Sequence, residues 1–583
     1  MHKKFTLLLL PVIFFFLNNA SAQTGWQWGV GSKYANAEAW PVAVDGNGNV
    51  FSSGWAMYDT TVFGADSVFL STWFTGSSMN NGLLVTKNDP TGSFLWAKGT
   101  VNTSAWPVNI ATDPDGDVYV FGIYIITSYL DTAFRMDSAH ITIPAAAQEY
   151  FLLKLSSTGA VRWVKNVTNN NGGSSYYFGG MGIDGAGNVY VSGVFNCPID
   201  TLGSFVFNNN SAANEYDAFV AKYDTSGNPV WAKSFGGANN DFVYTLSVTG
   251  TGDVYISGQY QSDTLPIGGV NLVNPLYTTS EMCYAAKFDS SGNVLWAKNI
   301  GRQIVVNGLK NDQAGNLYMT GSVDSSSVVL GPDTLTCNGL KDIFLAKYDL
   351  SGNPVWATSA GGGYTDQAFA VDVDTCGNIW ITGAMGGGAL APGVPYTMNF
   401  KGNILHTLAG SIDPMFIAEY NNAGTYMTSS ALRSGGDDQI GIAVDNRGNV
   451  YICGDYEDST QVIGTYSLDA SSFAEDFFLA KYNYSTGSCS APTVNAVPAI
   501  PASAGITIYP NPAAYECTIE SGAPFAAGSH ADLYDLTGRF IRAYALYGNS
   551  TVISIAGLSP GMYECRIITG ENNVVVKKLV VMK

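Results

Sequence analysis

AFVAKYDTSGNPVWAKSFGG, Ala218 to Gly237, returns as IFLAKYDLSGNPVWATSAGG, Ile343 to Gly362. Fifteen of the twenty positions are identical, and the starts lie 125 residues apart. Around this sentence four short patterns cycle along the 583 residues. One is a turn followed by a strand: DGNGNVFSSG at Asp45, DPDGDVYVFG at Asp113, DGAGNVYVSG at Asp184, TGTGDVYISG at Thr249. It continues as DQAGNLYMTG at Asp312, DTCGNIWITG at Asp374 and DNRGNVYICG at Asp445. The steps are 68, 71, 65, 63, 62 and 71 residues, a period that marks a repeat architecture.

Each pattern is a short run of Val, Ile, Tyr, Phe and Trp bounded by Gly, Asn, Asp or Pro, which reads as a strand between tight turns. Lettered by example, A is VAVD, B is NVYVSG, C is FLAKYD and D is NPVWAK. One repeat is then a four-stranded antiparallel sheet. Such a sheet cannot cover both its faces alone, and radial stacking into a propeller covers them while protecting the edges. Strands A, B and C each occur seven times, but D follows C only six times. In the sixth copy Thr428 takes the place of the strand-D Trp seen at Trp96, Trp163, Trp231, Trp296 and Trp356. The missing D is TGWQWGVGS, Thr24 to Ser32, at the other end of the chain. An N-terminal strand that completes the last sheet predicts an all-β, seven-bladed β-propeller closed by pairing of its two ends; an open solenoid would need polar caps. The repeats resemble the bacterial SBBP-type propeller repeat over residues 23–487, and their VAVDxxGNVYVSG core resembles the shorter NHL type. That resemblance implies a fold and no single activity.

Charged residues are 13%, Gly is 66 of 583 and the net charge is −19. With no basic stripe, nucleic acid is not an expected partner. Lys3 and Lys4, the apolar run from Phe5 to Leu17, and Ala20-Ser21-Ala22 read as a signal peptide over residues 1–22. No later stretch is long enough to span a membrane as a helix. Eight cysteines without CxxC spacing argue against a zinc site. Cys517 and Cys565, in matching YEC contexts, suggest either a disulfide or two buried thiols.

Residues 488–505 form a Pro/Ala/Ser/Val linker, and residues 506–583 alternate strands and turns as a small Ig-like β-sandwich would. This last stretch resembles the type A sorting domain of substrates of the type IX (Por) secretion system of Bacteroidota. The matching residues are Tyr509-Pro510-Asn511-Pro512, Leu533-Tyr534-Asp535 through Gly538-Arg539, Leu558 with Gly561-Met562-Tyr563, and Lys577-Lys578. The resemblance implies the type IX machinery as partner, export in two steps, and an outer-membrane-surface or extracellular location.

Chemistry is sparse. His140, His406 and His530 are isolated, and no GxSxG, P-loop or GxGxxG is present. No catalytic or metal-binding residue is nominated and no cofactor is expected. Calcium is raised by the loops at Asp45 and Asp113, but both lack the Gly and Glu that an EF-hand needs, and the turn reading is preferred. In an up-and-down sheet the stereotyped A–B and C–D turns share one face, so the variable B–C and D–A segments should carry function. Asp241, Asp366 and Asp438, in the D–A loops, are the candidate ligand-binding residues at the channel mouth, against the competing role of ordering those loops. Asp59, Asp66, Asp131, Asp137, Asp200, Asp263, Asp333 and Asp458 each begin an Asp-Ser/Thr motif resembling an O-glycosylation sequon, or simply a turn. The repeated aromatics read as packing between sheets. The leading expectation is a non-enzymatic surface or secreted module that binds a glycan or protein. The alternatives are a polysaccharide-active enzyme with carboxylates at the channel mouth, and a structural or adhesive component.

Overall fold

The computed structural model describes residues 25–484 and 506–582 except for short internal segments, the longest at 70–81, 126–132, 169–178, 387–394 and 433–439. Two compact units divide the chain, Met1–Cys489 and Ser490–Lys583. Every described element is a strand, and among the described residues no helix is long and apolar enough to cross a membrane. The expected signal peptide and linker lie outside the described residues.

The first unit holds seven four-stranded antiparallel arrays in the order A-B-C-D. In the first array these are Ala37–Val44, Val50–Ala56, Gly82–Asn88 and Phe94–Gly99. In the seventh, A to C are Gly441–Val444, Asn449–Tyr456 and Asp476–Asn483, and D is Gly25–Lys33. The N-terminal strand pairs with Tyr482, Lys481, Ala480, Leu479 and Phe478 through Trp26, Trp28, Gly29, Val30 and Gly31. Trp28 stands opposite Lys481 just as Trp96 stands opposite Lys87 and Trp231 opposite Lys222, so the borrowed strand sits in the register of the other D strands. Each A strand neighbours the A strand of the next array, and the A strand of the seventh returns to that of the first.

Local chemistry sets these strands. At the first A–B turn the Asp45 carboxylate accepts the backbone N–H of Asn47 and Asn49, both at 2.9 Å, and Gly48 takes φ 85°. Only glycine adopts that angle without strain. Strands B and C are buried along nearly their whole length because arrays cover both faces, which is why they are largely apolar without alternation. Strand D alternates, with Leu95, Val230, Leu295 and Val355 exposed.

Adjacent arrays are joined by a recurring clasp. The Trp28 indole donates to the Pro90 carbonyl at 3.1 Å and its ring lies where a Cβ on Gly92 would be, 2.8 Å from Cδ2. Trp96 over Gly159, Trp163 over Gly227, Trp231 over Gly292, Trp296 over Gly352 and Trp356 over Gly424 repeat it. Beneath each indole a strand-C lysine sits over a strand-B ring: Lys87 on Phe51, Lys154 on Tyr119, Lys222 on Tyr190, Lys287 on Tyr255, Lys347 on Tyr318 and Lys481 on Tyr451, at 4.6–5.5 Å.

One feature escapes the strand count made from sequence. Every B–C segment contains a small hairpin, for example Ile199–Leu202 with Phe205–Asn208 and Thr264–Ile267 with Val270–Val273. These hairpins lie against the exposed strand D of their own array, and several also reach strand D of the preceding one. They cover edges that would otherwise offer unpaired N–H and C=O groups. Thr60–Phe63 bonds directly to the N-terminal strand at Ser32 and Lys33.

The second unit packs a three-stranded sheet and a four-stranded sheet around one core that includes Ile519, Ile553, Leu533, Ile567 and Leu579. Cys517 and Cys565 are free thiols within it, so the disulfide alternative gives way to the buried-thiol one. Burial pushes the Cys517 thiol up to about 11 and that of Cys565 to about 12.

Replacing Trp28 by Ala should lower stability by ~3 kcal/mol, the usual cost of emptying a buried indole site, while Leu295→Thr on the exposed edge should change it little. Thermal or denaturant unfolding of the two variants checks this, and equal effects would contradict the clasp.

Candidate functional site

The A strands of all seven arrays surround a cavity of about 550 Å³. Aligning them on the turn residue (Asp45 and its equivalents) shows which positions are held by packing. The third residue before the turn is always a large apolar group: Val42, Ile110, Met181, Leu246, Leu309, Val371 and Ile442. The fifth varies freely: Trp40, Val108, Gly179, Tyr244, Asn307, Phe369 and Ile440, and all seven line the cavity. Among the described residues, none that lines it is charged. Asn307 donates its Nδ2 to the Ala368 carbonyl at 2.9 Å. Asn109 lines the same space, and among the described residues its amide has no hydrogen-bond partner.

Closer to the A–B turns, four arrays carry small residues two positions before the turn (Ala43, Ala111, Gly182, Ala443), and three in succession carry Ser247, Lys310 and Asp372. A second cavity of about 580 Å³ opens there, lined by Lys310, Asp372 and the turn residues of the fourth to sixth arrays. Lys310 Nζ meets Asp372 Oδ1 at 2.8 Å, Val444 N–H donates to Asp372 Oδ2 at 2.8 Å, and Ser247 Oγ donates to Asn311 Oδ1 at 2.6 Å. This polar arc is an internally satisfied network.

The carboxylates nominated from sequence sit elsewhere. Asp241 and Asp366 are buried, each inside its own D–A loop rather than on an open mouth. Asp241 accepts from the Gly237 N–H at 2.5 Å and from Ser262 Oγ at 2.9 Å; Asp366 accepts from Gly362 N–H at 2.6 Å and Gly386 N–H at 3.0 Å. They order the loops and are not presented to a ligand. Asp438 lies outside the described residues. The glycines of GGANND and GGGYTD are part of the same device: a Cβ on Gly236 would fall 2.1 Å from an Asp217 oxygen, and one on Gly361 2.2 Å from the Asp342 carboxyl carbon. Burial pushes Asp217 up to about 7, Asp241 to about 6 and Asp366 to about 7, with the neighbouring carboxylate adding to the rise at Asp217 and Asp366.

The remaining carboxylates singled out in the sequence are placed as follows. Asp113 accepts the N–H of Asp115 and Asp117 and the Lys154 ammonium at 3.1 Å, which accounts for the loop that raised calcium. Among the described residues no group of three or more His, Cys, Asp or Glu is placed to hold a metal. Asp137 pairs with Lys98, Asp200 is buried against the Thr201 N–H, and Asp333 accepts the Ala357 N–H of strand D. Asp263 is exposed, Asp66 begins a hairpin strand, and Asp59, Asp131 and Asp458 fall outside the described residues.

In the second unit Asn511 clamps the final strand, donating Nδ2 to the Lys578 carbonyl at 2.6 Å and accepting from the Val580 N–H at 2.8 Å. Tyr563 OH donates to the Ser559 carbonyl at 2.8 Å. Tyr509, Pro510, Gly561 and Lys578 are exposed and Lys577 half-buried, Asp535 ends a strand, and Pro512, Gly538 and Arg539 lie outside the described residues.

Residues 507–582 match the secretion system C-terminal sorting domain. The C-terminal unit is such a domain, and it implies secretion by the type IX system, to the cell surface or beyond it. Over 219 residues the chain is 28% identical to an uncharacterized WD repeat-containing protein of Acanthamoeba polyphaga mimivirus, covering 33% of this chain and 16% of that one. Over 218 residues it is 23% identical to the regulatory protein FlaEY of Caulobacter vibrioides, covering 35% and 22%. The match thus spans less than a quarter of either relative. A Dyadobacter fermentans protein of unknown function aligns at TM-score 0.34 and 8% identity, covering 64% of this chain and 93% of that chain. PorZ, a surface component of the type-IX secretion system of Porphyromonas gingivalis, aligns at TM-score 0.16 and 10% identity, covering 94% and 99%. At those scores neither likeness carries a functional argument.

Carboxyls with raised folded pKa values bind more protons in the native state than in the unfolded one, so their contribution favours folding at low pH. For Asp217, Asp241 and Asp366 it falls as pH rises from about 4, the ordinary carboxylate value, and levels off above about 7. The melting temperature should therefore drop between pH 5 and pH 8, and Asp217→Asn with Asp366→Asn should flatten that slope. A slope unchanged in the double variant would contradict the assignment.

Proposed function

We propose that this chain is an exported binding protein: a seven-bladed, SBBP-type propeller closed by its N-terminal strand, carried out of the cell by its C-terminal sorting domain, with its ligand taken in the central channel. The sorting-domain match over residues 507–582 carries the export reading. Seven arrays with neighbouring A strands, and the pairing of Gly25–Lys33 with Asp476–Asn483, support the ring. A two-sheet C-terminal unit is in keeping with an Ig-like sandwich.

Binding is favoured over catalysis on chemical grounds. Hydrolysis of a glycosidic bond by carboxylates needs two of them facing one substrate. Asp241 and Asp366 are buried and engaged in separate loops, and among the described residues none that lines the 550 Å³ cavity is charged. A concave, largely apolar space with a few polar groups is the usual form of a ligand site.

A chain ending at residue 505 should enter the periplasm and fail to reach the surface, as read by protease accessibility on whole cells and by fractionation. Surface display of the truncated chain at the full-length level would overturn the export reading.

A further inference from the structure

The seven A strands are under a common packing demand, so a position free to vary among them is one that packing does not decide. The ring five residues before each turn is such a position, and it places three aromatic side chains, Trp40, Tyr244 and Phe369, around one cavity with Asn307. Asn109 adds a second amide. These groups share a chemical character. The aromatic rings offer flat apolar faces. The two amides offer donors and acceptors in a plane, and among the described residues neither Asn109 nor the Oδ1 of Asn307 is engaged. Among the described residues the lining carries no charge to pair with an ionic ligand.

We propose that this cavity binds a neutral saccharide unit, its C–H face against the aromatic rings and its hydroxyls bonded to Asn109 and Asn307. This inference rests on the channel reading above and names the ligand class for it. Three properties select that class. Hydroxyls both donate and accept, so they satisfy amides in either orientation. The C–H faces of a pyranose remove apolar area from water when laid on an indole or phenol. A volume of about 550 Å³ fits a ligand of one or two sugar rings and lies within the ordinary range of small-molecule sites. Acidic or amino sugars bearing charge would be desolvated in an uncharged space at high cost.

The test uses the full chain and a panel of soluble oligosaccharides: neutral probes (cellotriose, maltotriose, xylotriose and mannotriose) beside charged ones (trigalacturonate and chitosan trimer). Calorimetry and indole fluorescence are the readouts. At least one neutral trisaccharide should bind while the charged trimers do not, and Trp40→Ala and Asn109→Ala should each weaken binding about tenfold, equivalent to ~1.4 kcal/mol. Asn109→Ala removes only a half-exposed amide, so its melting temperature should match the parent, which separates lost binding from lost fold. Binding of charged trimers alone, or of no probe at all, would overturn the saccharide assignment. Neutral binding indifferent to both substitutions would overturn the channel as its site. Neither result bears on export, which the truncation experiment reads separately.

Discussion

The structure of the first unit depends on an indole laid on a glycine. Each Trp–Gly clasp joins strand D of one array to the C–D turn of the next, and it tolerates nothing larger than hydrogen on the turn residue. Arrays set side by side share no common core; each interface must be self-sufficient, and a buried aromatic with its N–H satisfied supplies area and direction together. The lysine beneath each indole adds a charge held over an aromatic face, with its methylene stem covering more of the interface.

The one departure from this pattern follows from where the seventh array gets its strand D. In the sixth array Thr428 replaces Trp and Glu419 replaces the lysine, and the two are cross-strand partners. A Trp at 428 would reach toward the C–D turn of the seventh array, but there is no such turn, because the D strand of that array comes from the N-terminus. Other aromatics occupy the junction: Trp26 donates to Ser430 Oγ at 3.3 Å and meets the Tyr482 ring edge-on at 5.2 Å, and Tyr484 packs on Trp380 at 4.8 Å. Glu419, pushed up to about 7 by burial and by Asp374, replaces a cation that the absent clasp no longer requires.

The framework was readable because its demands are local. Asp at the turn start, Gly at positive φ and β-branched or aromatic runs between them recur wherever the same backbone recurs, and the displaced strand D could be found by counting. The rim hairpins escaped notice for want of length, not of regularity: Phe63, Leu202, Ile267, Leu330 and Ile463 each stand 18 residues after their turn residue and are each followed by Gly, but strands of four residues carry too little periodicity to stand out beside strands B and C. Asp241 and Asp366 carry two readings in the sequence, ligand contact and loop ordering, because sequence does not tell whether a carboxylate turns inward to cap a backbone or outward to solvent. The channel ring was missed for a simpler reason: a variable position looks like noise until the seven copies are superposed on their turns.

The pairing of residues 25–33 with residues 476–483 also orders events in time. The strand that seals the first unit is the first of its strands to be synthesised and the last to find its partner, about 450 residues later. Until that partner emerges, the N-terminal strand is an open edge, and so is the last strand yet made. Completion of the seventh array is thereby coupled to arrival of residues 476–483, so a chain cut short before them would advertise its incompleteness by unpaired edges.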